Sequence, residues 1–148
     1  MAPSYSLGER LAVRYPSMAH PETPLSKVTP VVLVIDDDHS FCVFMAKLIR
    51  SLDYEVMTTT EPTTTSLYQL SEADIVFIDI MMPAMDGFEV LKTLSSQGAK
   101  CSIVLMSGSD DRLERAETMA KQLGLRLIGV LHKPFRLTDL QGVLGSDR

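Results

Sequence analysis

No apolar run in the sequence approaches the roughly 18 to 20 residues that a membrane-spanning helix needs. Nor does a positively charged start lead into an apolar stretch, so a secretion signal is not expected and the cytoplasm is the expected location. Cysteine is scarce. Cys42 and Cys101 stand far apart in separate apolar runs, which excludes a disulfide framework and reads as two small buried hydrophobes in a reducing compartment. Positive charge is in deficit, with 14 basic against 19 acidic residues and a net charge of −5. No basic patch is long enough for this chain alone to bind nucleic acid. A GxxxxGK[ST] loop is also missing, so ATP is not the evident phosphoryl donor. What remains is an ordinary globular balance, 45% apolar and 22% charged over 148 residues. That is enough for one domain with a real core and too little for two.

Five of the eight prolines fall in the first thirty residues: Pro3, Pro16, Pro21, Pro24 and Pro30. At this density they block both helix and sheet ladders. Residues 1–30 are therefore expected to form a flexible arm, either a plain extension or a segment that docks on a partner or a second copy. Arg10, Arg14 and Lys27 against Glu9 and Glu22 give the arm +1, which leaves −6 on the rest.

Past residue 30 the pattern alternates. Val31–Ile35 is a continuous apolar run, β-branched at all but Leu33, as in a strand buried on both faces of a parallel sheet. Phe41, Phe44, Met45, Leu48, Ile49 and Leu52 follow at helical spacing and predict one apolar stripe. A weaker strand is expected over 54–59, then a helix opened by Glu61 and Pro62 and carrying Leu67 and Leu70. The second strong strand is Ile75–Ile78, ending at Asp79. Asp86 and Gly87 start a helix that Gly98 closes, 103–106 form a strand, and Leu113 to Leu123 mark a helix ended by Gly124. A fifth strand over 125–131 and a short helix over 137–144 complete the series. Five strands and five helices in strict alternation predict an α/β, flavodoxin-like (βα)5 doubly wound parallel sheet in a single domain.

In such a sheet, sites lie beyond the carboxyl ends of the strands. There the sequence delivers Asp36 and Asp37 from the first strand, Asp79 from the third, Ser107 from the fourth and Lys133 from the fifth. One polar strand end means little; four converging on one edge mean a site. Carboxylates within about 5 Å raise one another's pKa unless a cation intervenes. Oxygen-only ligands select a hard ion, and Mg2+ fits because it needs few carboxylates and keeps waters. A cation, a lysine and a hydroxyl around one small space make a binding site for phosphoryl oxygens.

These residues bring a family into view. Val32-Leu33-Val34-Ile35-Asp36-Asp37-Asp38, the run from Phe77 to Gly87 around Asp79, Met106-Ser107-Gly108 and Lys133-Pro134-Phe135 resemble, in order and separation, a response regulator receiver domain over about 31–145. The resemblance implies that Asp79 is the phosphoacceptor, taking a phosphoryl group from the phosphohistidine of a sensor histidine kinase or histidine phosphotransfer protein. It implies that Asp37 binds Mg2+ directly, Asp36 through water, and that the Met81 carbonyl and Asp79 complete the ligands. Ser107 takes the hydroxyl position and Lys133 the lysine position, joined to a proline usually in cis. The partners implied are the kinase and a fused or separate output domain, with a homodimer open as well. Autodephosphorylation, not conventional enzymatic turnover, is the expected chemistry of the chain.

Departures from the pattern carry consequences. Val130 stands where an aromatic switch residue is frequent, and Gly108 where alanine is more usual, which leaves that loop freer. Residues 124–135 look more weakly like receivers coupled to EAL-type cyclic-di-GMP phosphodiesterase domains. Residues 146–148 read as a stub or the start of a linker, so either a stand-alone regulator or part of a longer protein is expected. Two other classes stay in view. One is a receiver-like interaction module that works without phosphorylation. The other is a haloacid-dehalogenase-like phosphatase, for which Asp36 and Asp38 supply the DxD pattern but the Asp79 loop and the Lys-Pro pair fit poorly. His39 and His132 read as surface or capping residues, and Met81, Met82 and Met85 as a hydrophobic shield over the site.

Overall fold

Val31–Ile35 (β1) is buried at every position, as a strand covered on both faces must be. The structure is a computed structural model and describes residues 29–61, 72–83 and 86–146. The elements after β1 are α1 (His39–Arg50), β2 (Glu55–Thr59), β3 (Ile75–Asp79), α2 (Gly87–Ser96), β4 (Ser102–Ser107), α3 (Asp110–Gln122), β5 (Arg126–His132) and α4 (Leu137–Gly145). The five strands form one sheet in the order β2-β1-β3-β4-β5, every pair parallel. Four helices are described. The helix expected from residue 62 lies outside the described residues, as do Met85 and nearly all of the proline-rich arm.

Alternate strand residues feed two cores. Leu33, Ile35, Val76 and Ile78 pack under Val90, Leu91 and Leu94 of α2 and under Leu113, Ala116 and Ala120 of α3. Val32, Val34, Ile75 and Phe77 pack under Cys42, Met45 and Ile49 of α1 and under Leu140, Val143 and Leu144 of α4. Each fully buried Val, Leu, Ile, Phe or Met side chain among them contributes about 1.5–3 kcal/mol. Both cysteines are buried and unbridged, and burial pushes both thiols up to about 11.

Helix starts follow the expected chemistry. Asp38, Asp86 and Ser109 cap α1, α2 and α3, each side chain accepting a hydrogen bond from the backbone N–H three residues on. Gly98 and Gly124, just past α2 and α3, have φ of 65° and 73°, left-handed geometry that suits glycine.

The stripe of α1 departs from the expectation. Its buried residues are Cys42, Met45, Ala46 and Ile49, while Phe44 is 51% exposed and Phe41 half-buried. The large apolar residues set the predicted stripe, but the small Cys42 and Ala46 take buried positions beside Met45 and Ile49. A second departure lies in β5, where the pairing with β4 shifts register between Ile103 and Val104, as at a β-bulge. Leu127 packs against one core and Ile128 against the other.

Candidate functional site

The strand order decides which ends meet. β1 lies beside β3, and β3 beside β4, so Asp36, Asp79 and Ser107 emerge from three adjacent strands. Carboxylate oxygens of Asp36, Asp37 and Asp79 lie within 4.8 Å of one another. Asp36 and Asp79 are buried, whereas Asp37 is exposed.

Asp36 is the most fully engaged of the three. Its Oδ1 accepts from the Asp38 N–H at 2.9 Å, and its Oδ2 from Lys133 Nζ at 2.5 Å. Asp79 Oδ1 accepts from the Met81 N–H at 3.2 Å, and its Oδ2 stands 3.8 Å from Lys133 Nζ. Burial and then repulsion from Asp36 push the Asp79 carboxyl up to about 6, against the opposing pull of Lys133 and the Met81 N–H.

Two backbone features hold these groups in place. The Ile80 N–H donates to the Met106 carbonyl at 2.9 Å and the Lys133 N–H to the Ser107 carbonyl at 2.8 Å, so three strand ends are stitched together. The Ser107 hydroxyl accepts from the Ser109 N–H at 3.0 Å, which leaves its hydrogen free to donate elsewhere. Gly87 permits a close approach: a Cβ there would sit 2.7 Å from Ile80 Cα and 2.9 Å from the Asp79 carbonyl oxygen.

All the residues singled out at the strand ends therefore meet on one edge. Asp38 serves the α1 cap, its Oδ1 accepting from the Phe41 N–H. Met82 is a core residue, 4% exposed, and not part of a shield; Met81 is the exposed one. His39 is exposed at the first position of α1. His132 is more than a bland surface residue, since its Nδ1 meets Asp110 Oδ1 at 2.5 Å and ties β5 to the first turn of α3. Val130 is 39% exposed. Sequence reasoning missed Phe41, whose ring lies 4.0 Å from Lys133 Nζ. Its signal was position: an aromatic in the first turn of the helix capped from the acidic run.

The Response regulator receiver domain model matches residues 32–144, most of the chain and all of the site. The chain belongs to this family. The cell cycle response regulator CtrA of Brucella ovis is 30% identical over 110 residues, covering 74% of this chain and 46% of CtrA. A response regulator structure from Colwellia psychrerythraea is 31% identical, with a TM-score of 0.69, covering 80% of this chain and 96% of that one. The chemotaxis protein CheY4 of Vibrio cholerae is 25% identical, with a TM-score of 0.68, covering 82% of this chain and all of CheY4. The chain spans less than half the length of the curated relatives it matches first. The chain is a two-component receiver domain, and among the described residues no helix is long and apolar enough to cross a membrane.

Proposed function

We propose that this receiver accepts a phosphoryl group on Asp79 from the phosphohistidine of a sensor histidine kinase or histidine phosphotransfer protein. The observation that carries the reading is the buried Asp79 carboxylate, with two further carboxylates within 4.8 Å and the Lys133 ammonium 3.8 Å away. An oxygen of Asp79 attacks phosphorus, the P–N bond of the donor breaks, and its electron pair leaves with the imidazole. The product is an acyl phosphate. Lys133 neutralises charge on the transferring oxygens, and the Ser107 hydroxyl donates to one oxygen of the product.

Receiver domains generally bind Mg2+ at such an acidic cluster, and the donor set here fits: three carboxylates with neither imidazole nor thiolate among them. Asp37, the most accessible of the three, would ligate directly, Asp36 through water, with Asp79 and the Met81 carbonyl completing the protein ligands. Bound there, Mg2+ supplies charge neutralisation at the phosphoryl oxygens. The domain division follows the same reading, with an N-terminal arm over 1–30, the receiver over 31–145, and a stub or linker start over 146–148.

The test is incubation of the chain with Mg2+ and acetyl phosphate, followed by mass spectrometry of the intact protein and its peptides. One phosphoryl group on the peptide holding Asp79 is expected. Label on Asp36 would move the reading to the phosphatase class, and no label would remove it.

A further inference from the structure

Phe41 follows the N-cap Asp38 by three residues, in the first turn of α1. Half-buried and packed against the core, its ring also meets a charge. Lys133 Nζ lies 4.0 Å from the ring centroid, well inside the range over which a π face attracts an ammonium. The ring is held from two sides. Phe135 meets it edge-on, with centroids 6.1 Å apart at 89°, and Phe44 stands at 6.3 Å and 44°. Phe135 belongs to the same loop as Lys133, two residues on. Packing the ring against that loop keeps it beside the Lys133 side chain.

Lys133 thus has three neighbours of different character. Asp36 holds its ammonium at 2.5 Å, Asp79 waits at 3.8 Å, and the Phe41 face covers another side. An ion pair to Asp36 alone would anchor the charge at one end of its travel. A ring face differs, because it attracts an ammonium above it without accepting one of its directed hydrogen bonds, which stay available to either carboxylate. It keeps the charge in the site without choosing between the two carboxylates. A leucine of similar bulk would fill the space and supply no such attraction.

We propose that Phe41 is a positioning residue for Lys133, its ring holding the ammonium within the site as it passes from Asp36 toward a phosphoryl group on Asp79. The destination rests on the function proposed above; the resting contact does not.

The experiment uses the 148-residue chain with Phe41→Leu and Phe41→Tyr, the second retaining the π face. In the unphosphorylated protein, NMR should show the Lys133 ε-methylene protons shifted upfield by the ring current in the parent and in Phe41→Tyr, and unshifted in Phe41→Leu. Beryllium fluoride with Mg2+, a phosphoryl mimic, should bind Phe41→Leu about fivefold more weakly and Phe41→Tyr nearly as well as the parent. Thermal unfolding confirms that the variants fold, with Phe41→Met as a second apolar replacement should Phe41→Leu not. Unshifted Lys133 protons in the parent, or equal beryllofluoride affinity in folded Phe41→Leu, would overturn the proposal. A parent with the ring-current shift that binds no beryllofluoride would support the resting contact and overturn the Asp79 reading instead.

Discussion

Lys133 is paired with Asp36 at 2.5 Å and only approaches Asp79, at 3.8 Å. The site thus rests with its cation on the carboxylate that is not the proposed nucleophile. Asp36 is fully buried and Lys133 mostly so. Removing the ammonium would strand a buried charge, which costs more than the pair itself contributes. Lys133→Met should therefore lower stability by about 1–3 kcal/mol in the absence of Mg2+. Asp36→Asn in that background should recover most of it. Urea unfolding of the two single variants and the double variant measures the coupling, and additive effects would show that the contact is worth nothing.

The raised Asp79 carboxyl makes stability depend on pH. Its folded pKa, about 6, lies above its ordinary value of 3.8, so the native state binds the proton more tightly. The favourable contribution is complete below about pH 4 and is lost as pH rises through about 6. Without divalent cations, the parent should lose up to about 2–3 kcal/mol across that window relative to Asp79→Asn. Paired urea titrations from pH 4 to 8 give the difference. A flat difference would mean that Asp79 is not perturbed. The same variant should take no phosphoryl group from acetyl phosphate.

Mg2+ should raise the thermal midpoint of the unphosphorylated chain, because a cation bound only to the native state stabilises it by mass action. The gain is about 2.7 kcal/mol at a hundred times the dissociation constant. Asp37→Asn should abolish most of the shift, though removing one of three crowded carboxylates should raise the metal-free midpoint. An unchanged Mg2+-dependent shift in that variant would contradict direct ligation by Asp37.

Gly87→Ala should destabilise the domain by about 1–3 kcal/mol, since the new methyl would press into the Ile80 backbone and the Asp79 carbonyl. It should also slow phosphorylation, because the displaced segment carries the proposed nucleophile. By contrast, a Cβ at Gly108 would meet nothing nearer than the Lys133 carbonyl oxygen at 4.0 Å, and no positive φ stands in its way. Gly108→Ala should leave stability unchanged or raise it by up to about 1 kcal/mol. Comparing the two by denaturant unfolding separates close packing from mere loop freedom.

Local chemistry was legible from the residues alone. Continuous apolar runs rich in β-branched residues read as buried strands because both faces of a parallel sheet are covered, and Val31–Ile35 is buried at every position. Gly98 and Gly124 read as helix ends because glycine accepts the left-handed turn without strain. The carboxylates, hydroxyl and lysine read as a site because parallel strands all point their carboxyl ends to one edge. What the chain could not declare by itself was anything set by packing across elements. Strand order put Asp79 between Asp36 and Ser107. In α1, Cys42 and Ala46 took buried positions while Phe44 faced outward, and Phe41 packed at the margin of the core with its ring against Lys133. Met82 sank into the core from a loop that looked like a lid. The Lys133 ammonium settled on Asp36, a choice between two carboxylates made by about an ångström of three-dimensional distance, to which spacing along the chain is blind.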